Sequence, residues 1–311
     1  MPYPIDKSPL YKVTSIHRLA AVLQVRVGRL RNTSYLAGQF KEGTAESKGK
    51  QRVTETPVRS LRRLHNQVQK LLARIETPDY LHSGKLKRSY LSNAETHLDN
   101  SQYFKADIAK FYPSCRRHHV YLCFKDCFGC SGDIAGILAT LLTHKGHIPT
   151  GSPVSTLLSF YCHKAMFDTL AELATSNQLK MTVLQDDITF SGDDINEDFR
   201  SGVRKVIKFR GLIPKRAKQK FIHGGKSPRV TGIMVTSEGL KVPWSRHKAL
   251  RDAINDFEQA STEMEMRNSY QKVMGRLSEI ERVQGKIFDL KQRLKHDFRA
   301  RLEFKSADLS C

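Results

Sequence analysis

The 311-residue chain has no run of about 18 apolar residues and no charged-then-apolar opening segment, so neither a membrane-spanning helix nor a secretory signal is predicted. Acids are scarce, with Asp and Glu numbering 31 against 52 Lys and Arg, a formal net charge of +21. From Arg200 to Arg229 the scarcity is complete: eleven Lys or Arg and no acid. Such a surface disfavours basic partners and predicts binding to a polyanion with steep salt dependence. Nucleic acid is the first candidate and a membrane surface the alternative, while a merely solvated face is the competing reading of the run. A second Cys-x-x-Cys arm is also missing. Only Cys127 and Cys130 have that spacing, so Cys115, Cys123, Cys127 and Cys130 read as reduced core thiols, with structural zinc as the alternative. Cys123 and Cys127 are i,i+4, as buried helix positions would be. No internal repeat is present. Together these absences predict a soluble cytoplasmic protein without disulfides.

What is present is enough length for a substantial core in two or three subdomains. Apolar residues at helical spacing predict one amphipathic helix over 13–31, a polar loop over 41–50, a strand over 51–57 and a basic helix over 58–75. Helices broken at Gly129 and Gly132 follow over 117–142, then a turn at 146–153 and a long apolar helix over 154–174. Beyond a strand at 229–235, the region after Pro243 reads as charged helix to Phe304. This order predicts an α+β protein with a small antiparallel sheet.

Three acids carry the chemistry. Asp107 ends a β-branched and aromatic run that begins at Phe104, and Asp186 with Asp187 interrupts a second such run from Met181 to Ser191. A hairpin with Asp186 and Asp187 at its tip, beside a strand ending at Asp107, would gather three carboxylates. Mg²⁺ suits such a site because it takes oxygen ligands from carboxylates and substrate phosphates together. The chain also contains a second pair, Asp193 and Asp194, after Ser191-Gly192 in a polar run, which reads as solvated loop. Pro149, Gly151 and Pro153 fix a loop offering the hydroxyls of Thr150 and Ser152, a weak phosphate-cradle signal.

The order Asp-Ile-x-x-Phe-Tyr-Pro-Ser from Asp107, Ile-Pro-Thr-Gly-Ser-Pro from Ile148, and Asp186-Asp187 followed by Ile-Thr-Phe-Ser resembles motifs A, B and C of a reverse transcriptase palm. Two further strings narrow the resemblance to retron-type bacterial reverse transcriptases: Asn-Ala-x-x-His from Asn93 to His97, and Val230-Thr231-Gly232. Five motifs in order make chance improbable, and the resemblance spans the N-terminal helix to about Leu250.

The resemblance implies a right-hand polymerase fold, with N-terminal helix and fingers over 1–98, palm over 99–240 and an RNA-binding helical thumb over 241–311. It assigns Asp107, Asp186, Asp187 and the Ile108 carbonyl to two Mg²⁺ ions. Tyr112 takes the position that screens the sugar 2′-OH, where a core aromatic is the rival reading. Lys50 and Arg52 match cations on the triphosphate; Thr150, Gly151 and Ser152 match contacts to nucleotide and template; Lys218 matches a lysine near the leaving pyrophosphate, or else is a plain groove lysine. Asn93, His97, Val230, Thr231 and Gly232 are family-marking and assigned to RNA selectivity, with a buried turn Asn and a core His as rivals. Leu184 stands where the family has Tyr, and Thr150 where it has Gln, which puts primer positioning and nucleotide choice in question.

The function implied is RNA-directed DNA synthesis from dNTPs, on a cognate structured non-coding RNA whose guanosine 2′-OH primes it, giving RNA-linked single-stranded DNA (msDNA). The implied partners are that RNA, its DNA product, and a toxin or effector protein in anti-phage defence, with no membrane. The alternatives are a group II intron-like or diversity-generating reverse transcriptase, a metal nuclease, and a non-catalytic RNA-binding scaffold with a polymerase-like palm.

Overall fold

The structure, a computed structural model, describes residues 2–47, 50–215, 219–223, 227–285 and 288–308. Contacts divide the chain into two compact units, one of Met1–Ser89 with Asn100–Gly224, the other of Tyr90–Asp99 with Gly225–Cys311. These boundaries differ from those expected at 98 and 240, because a short segment near residue 95 joins the C-terminal part.

The first unit opens with α1 (Ile16–Leu23), α2 (Val27–Arg31) and α3 (Thr33–Ala37). The single helix expected over 13–31 is therefore broken: Gln24 takes a left-handed φ of 56° and its N–H closes α1 on the carbonyls of Ala20 and Ala21. The expected polar loop at 41–50 is instead a strand. β1 (Phe40–Ser47) and β2 (Lys50–Pro57) pair antiparallel along their whole length, and the exposed polar side chains that suggested a loop are those of a two-stranded ribbon in solvent. Next comes α4 (Arg59–Ala73), which buries Leu61, Leu64, Val68, Leu71 and Leu72 on one face as its 3.6-residue pattern requires.

After α5 (Tyr90–Glu95), which belongs to the second unit, the first resumes with β3 (Gln102–Asp107), α6 (Phe111–Ser114) and α7 (Arg117–Leu122). A π-turn at Cys123–Cys127 leads to α8 (Gly132–Leu141). The long helix expected over 154–174 is two, α9 (Ser155–Cys162) and α10 (Lys164–Ser176), parted at His163. Then follow β4 (Lys180–Leu184), β5 (Asp187–Gly192), α11 (Glu197–Phe209) and β6 (Lys220–Ile222).

One sheet, in the order β4-β5-β3-β6, is antiparallel at every junction. Alternation gives it two unlike faces. Phe104, Ala106, Val183, Ile188 and Phe190 form the apolar back; Phe104 stacks on Phe190, and Phe190 meets Phe199 of α11 edge-on. Lys105, Asp107, Thr182, Asp187 and Thr189 lie on the opposite, polar front. Truncating a back-face residue such as Phe190 would cost about 3–5 kcal/mol, so burial of this face fixes the strand register.

The second unit contains α5, a sheet of β7 (Arg229–Val230), β8 (Ile233–Thr236) and β9 (Gly239–Lys241), and the helices α12 (Trp244–Glu258), α13 (Glu263–Gln284) and α14 (Phe288–Asp308). Thr262 and Glu265 form a reciprocal capping box that starts α13. Val242, Leu250, Phe257, Met266, Val273 and Leu277 make a separate core here. The architecture is α+β, with small antiparallel sheets flanked by helices, as expected. Among the described residues no helix is long and apolar enough to cross a membrane.

Candidate active site

The polar face of the four-stranded sheet ends in acid. Asp107, the last residue of β3, is the direct Cα partner of Asp187, the first of β5, and Asp187 is in turn the partner of Leu184 at the end of β4. Residues directly opposite in an antiparallel pair project from the same face, with Cβ atoms about 5 Å apart. Leu184, Asp187 and Asp107 thus form one row across three strands. Asp186 lies beside this row in the two-residue turn Gln185-Asp186. Gln185 enters that turn at φ 61°, a conformation that costs an L-residue about 1 kcal/mol. The segment before α5 supports it: Ser83 Oγ accepts from the Gln185 N–H at 3.2 Å, while Val183 exchanges backbone bonds with Tyr80 and His82 at 2.7 and 2.9 Å.

Two like charges facing each other across a ladder repel, and the chain supplies a cation of its own. Lys105, two residues before Asp107 and therefore on the same face, donates from Nζ to Asp187 Oδ2 at 3.1 Å. Its side chain is 17 % exposed and that of Asp187 31 %. The motif reading missed Lys105, although period-two alternation from Asp107 would have found it. Ile108 is buried and bridged to Pro214, and the Asp107 carbonyl accepts from the Lys215 N–H at 2.7 Å.

Among the described residues no three or more His, Cys, Asp or Glu side chains are gathered into a ready metal cage. What the sheet end offers is partly exposed carboxylate oxygens along one edge. That donor set fits Mg²⁺, which keeps water and substrate oxygens in its shell and does not require an all-protein cage. The expected zinc alternative finds no such support. Cys115, Cys123 and Cys130 are buried, and burial pushes the Cys115 and Cys130 thiols up, away from the thiolate that zinc needs. Cys127 is exposed, against the buried position expected from its spacing, because the π-turn rotates it away from the face of Cys123. Asp193 and Asp194 are exposed, as read, with Asp193 accepting from Ser101 Oγ at 3.0 Å.

Tyr112 stands beside this edge. Lys110 turns the chain at φ 47°, α6 begins, and the Tyr112 hydroxyl meets Thr156 Oγ1 at 3.2 Å. Burial raises the Tyr112 phenol above its ordinary value, and the nearby Asp186 charge raises it further. The ring is thus a neutral wall next to the acids.

The loop at 147–153 is strapped to β2 and α4. Glu55, buried on β2, accepts at Oε2 from His147 Nε2 (3.1 Å) and from the Thr150 N–H (3.3 Å). Thr150 Oγ1 donates to the Val53 carbonyl at 2.8 Å. Gly151 is required, since a Cβ there would stand 2.6 Å from Thr56 Oγ1 and 3.0 Å from the Glu55 carbonyl oxygen. Ser152 Oγ lies 2.6 Å from His65 Nδ1, and His65 Nε2 lies 2.8 Å from the Leu141 carbonyl. A carbonyl only accepts, so Nε2 carries the proton and Nδ1 accepts from Ser152. Burial lowers His65 to about 4 and keeps the ring neutral. Both hydroxyls expected to meet nucleotide are therefore engaged by the scaffold. Glu55 and His65 gave no sequence signal of their own, one lying in an exposed ribbon and the other in a basic helix.

Arg52 is exposed on β2 opposite Ala45. Lys50 begins that strand, its side chain lying outside the described residues, as does all of Lys218. In the second unit the two family-marking strings, far apart in sequence, come together. Asn93 and His97 are fully buried, α5 packs on β8, and Thr231 Oγ1 donates to the Tyr90 carbonyl at 2.8 Å. Val230 is buried, Thr231 has φ 45° and Gly232 φ 96°, and a Cβ on Gly232 would stand 2.7 Å from Arg246 Nη2. Asn93 and His97 are thus inaccessible to a ligand at the surface of this fold.

Similarity to known proteins agrees with this geometry. The chain is 30 % identical over 205 residues to the retron Se72 reverse transcriptase of Salmonella heidelberg (strain 579083-10), a match covering 63 % of this chain and 53 % of that protein. It is a relative of the retron reverse transcriptases. The retron Ec48 reverse transcriptase of Escherichia coli is 22 % identical over 307 residues, covering 91 % of this chain and 74 % of that one. The retron Mx65 reverse transcriptase of Myxococcus xanthus is 27 % identical over 250 residues, covering 71 % and 58 %. The chain thus spans about half the length of the Se72 and Mx65 proteins. No family model matches the chain. Among solved structures, apo telomerase from Candida Tropicalis, truncated from its C-terminal domain, aligns with TM-score 0.48 and 13 % identity over 66 % of this chain and 55 % of that one.

Proposed function

We propose that the chain is an RNA-directed DNA polymerase of retron type, which copies a cognate structured RNA into DNA from dNTPs. The observation that carries this reading is the row Leu184, Asp187, Asp107 with Asp186 at the adjoining turn and the Tyr112 ring beside it. Similarity to retron reverse transcriptases supports the same reading. In it, fingers, palm and thumb correspond to 1–98, 99–240 and 241–311.

Asp107, Asp186, Asp187 and the Ile108 carbonyl would hold two Mg²⁺ ions, which supply a lowered pKa at the primer hydroxyl and charge neutralisation at the leaving pyrophosphate. Lys105 holds Asp187 in place by its ammonium and tempers the repulsion between Asp187 and Asp107. Tyr112 excludes a ribose 2′-OH by bulk, and its raised phenol keeps a second anion away from the acids. Leu184, facing the same way as Asp187, supplies an apolar neighbour where the family has an aromatic one. Lys50, Arg52 and Lys218 are the cations assigned to the triphosphate. The strapped loop gives nucleotide and template a rigid backbone surface at Thr150 to Ser152, while its hydroxyls stay bonded to the scaffold.

The finer reading is that the primer is a guanosine 2′-OH of the same RNA, that the product is branched msDNA, and that enzyme and product act with an effector protein in anti-phage defence. The basic helical region from Pro243 onward would recognise RNA stems by shape and backbone. The test is incubation of the protein, purified with its co-expressed RNA, with Mg²⁺ and labelled dNTPs. DNA joined to RNA, absent with Asp186→Asn plus Asp187→Asn, is the expected result. Wild-type protein that binds RNA yet extends nothing, even on a supplied primer and template, would instead establish a scaffold.

A further inference from the structure

Behind the sheet, on the face opposite Asp107 and Asp187, α11 and β6 enclose a cavity of about 510 Å³ lined by Phe104, Glu197, Arg200, Arg204, Gln219 and Phe221. Phe104 and Phe221 are cross-strand partners and form its apolar floor. The Arg200 guanidinium lies 4.3 Å from the Phe221 ring centroid, which holds it flat against that floor. Glu197 serves both arginines, accepting from Arg200 Nη2 at 2.8 Å through one oxygen and from Arg204 through the other. The arginine side chains are 23 % and 22 % exposed and the Glu197 side chain 62 %.

Three features separate this cavity from an ordinary surface ion pair. Two guanidinium groups share one carboxylate, so a positive charge is left over in a recess, and no acid occurs from Arg200 to Arg229 to offset it. The shared carboxylate is the exposed member and the arginines the sheltered ones, the reverse of a long basic side chain reaching out from a fixed acid. Gln219 Nε2 is buried and bonds to nothing among the described residues. An orphaned amide donor is expensive in a folded protein and signals an acceptor that comes from outside. Two planar guanidinium groups and an amide donor around one space match the oxygens of a phosphate group.

We propose that this cavity is a phosphate-binding site, in which a phosphate group takes the place of the Glu197 carboxylate between Arg200 and Arg204 and accepts from Gln219 Nε2. The site lies on the face away from the acids and does not depend on the polymerase reading. The phosphate belongs either to the backbone of a nucleic-acid strand or to a free phosphate anion.

The test uses the full chain and two probes: inorganic phosphate followed by ³¹P NMR, and a short oligothymidylate with hydroxyl ends followed by fluorescence anisotropy. Glu197→Gln removes the internal competitor and is expected to tighten binding several-fold. Arg200→Gln with Arg204→Gln is expected to abolish saturable phosphate binding and to lower the salt slope for the strand by about 1.4, at 0.7 per lost contact. Gln219→Leu changes no charge and is expected to weaken binding roughly fivefold. A response with the strand assigns a backbone phosphate, and a response with inorganic phosphate alone assigns a free anion. If the arginine pair weakens binding while Glu197→Gln and Gln219→Leu leave it unchanged, only the general basic field is at work and the site is disproved. Absence of saturable binding to either probe overturns it equally.

Discussion

The acidic edge in the first unit and the joint of α5 with β7 and β8 in the second hold the chain's most distinctive short strings, and they are built in opposite ways. At the edge, Asp107, Asp186 and Asp187 stay partly exposed, and Lys105 is a neighbour that substrate and cations can displace. At the joint, Asn93 and His97 are sealed from solvent, and Thr231 and Gly232 adopt backbone conformations that packing must sustain. A string that repeats in a family can therefore mark chemistry or architecture, and accessibility separates the two. Changes at the edge should strike activity and spare the fold, whereas changes at the joint should strike the fold first.

The largest effect is expected from Asp186→Asn with Asp187→Asn, which should lower DNA synthesis on the order of 10³-fold, equivalent to about 4 kcal/mol of barrier, with thermal stability retained. A comparable fall in melting temperature would show that the acids serve the fold and would erase the contrast.

Acid should act on the strapped loop, which shares the buried logic of the joint. His65 is lowered to about 4 from an ordinary value near 6.5 because burial penalises its charged form. The unfolded chain binds that proton more readily, so the stability this ring contributes is complete above about pH 6.5 and is lost as pH falls from there toward 4. His82 and His119, also lowered to about 4 chiefly by burial, act in the same direction. Denaturant titrations at pH 7 and pH 4 should differ by about 3 kcal/mol from His65 alone. His65→Gln should flatten that slope, and an unchanged slope would remove His65 from the account.

Gly232→Ala should destabilise the chain by about 2 kcal/mol, since it combines an unfavourable positive φ with a Cβ 2.7 Å from Arg246 Nη2, where it would disturb the Arg246 to Glu279 ion pair. Thermal unfolding measures it. Weaker RNA binding at full stability would return this string to the surface and reverse the comparison.

The smallest effect is expected from Lys105→Met. Its partner is about a third exposed, so the loss of stability should stay under about 1 kcal/mol. The Mg²⁺ concentration that half-saturates synthesis should fall, because an ammonium no longer competes for Asp187. A requirement for more Mg²⁺ would instead make Lys105 part of the bound-nucleotide geometry.

The palm-like core was legible from local pattern. Alternation around Asp107 and Asp187 predicted strands, and two residues between Leu184 and Asp187 are what a tight hairpin needs. The helix expected over 13–31 failed at Gln24 because a single left-handed residue interrupts a helix without disturbing its apolar spacing. The loop expected at 41–50 failed because a ribbon exposed on both sides carries the polar composition of a loop. At Thr150 and Ser152 the residue types suggested ligand contacts, yet their partners, Val53 and His65, lie some 90 residues away and left no trace in the local string.

By itself the sequence determined which residues could bear charge, which strands would alternate and where the turns fall, because these follow from spacing within a few residues. Only the tertiary structure decided that Asp107 faces Asp187, that Lys105 bonds one of them, that the loop hydroxyls are spent on the scaffold, and that Asn93 and His97 are enclosed. Each of those depends on strands and helices distant in sequence being brought into register, and register is selected by burying the apolar back of the sheet, not by the residues that carry the chemistry.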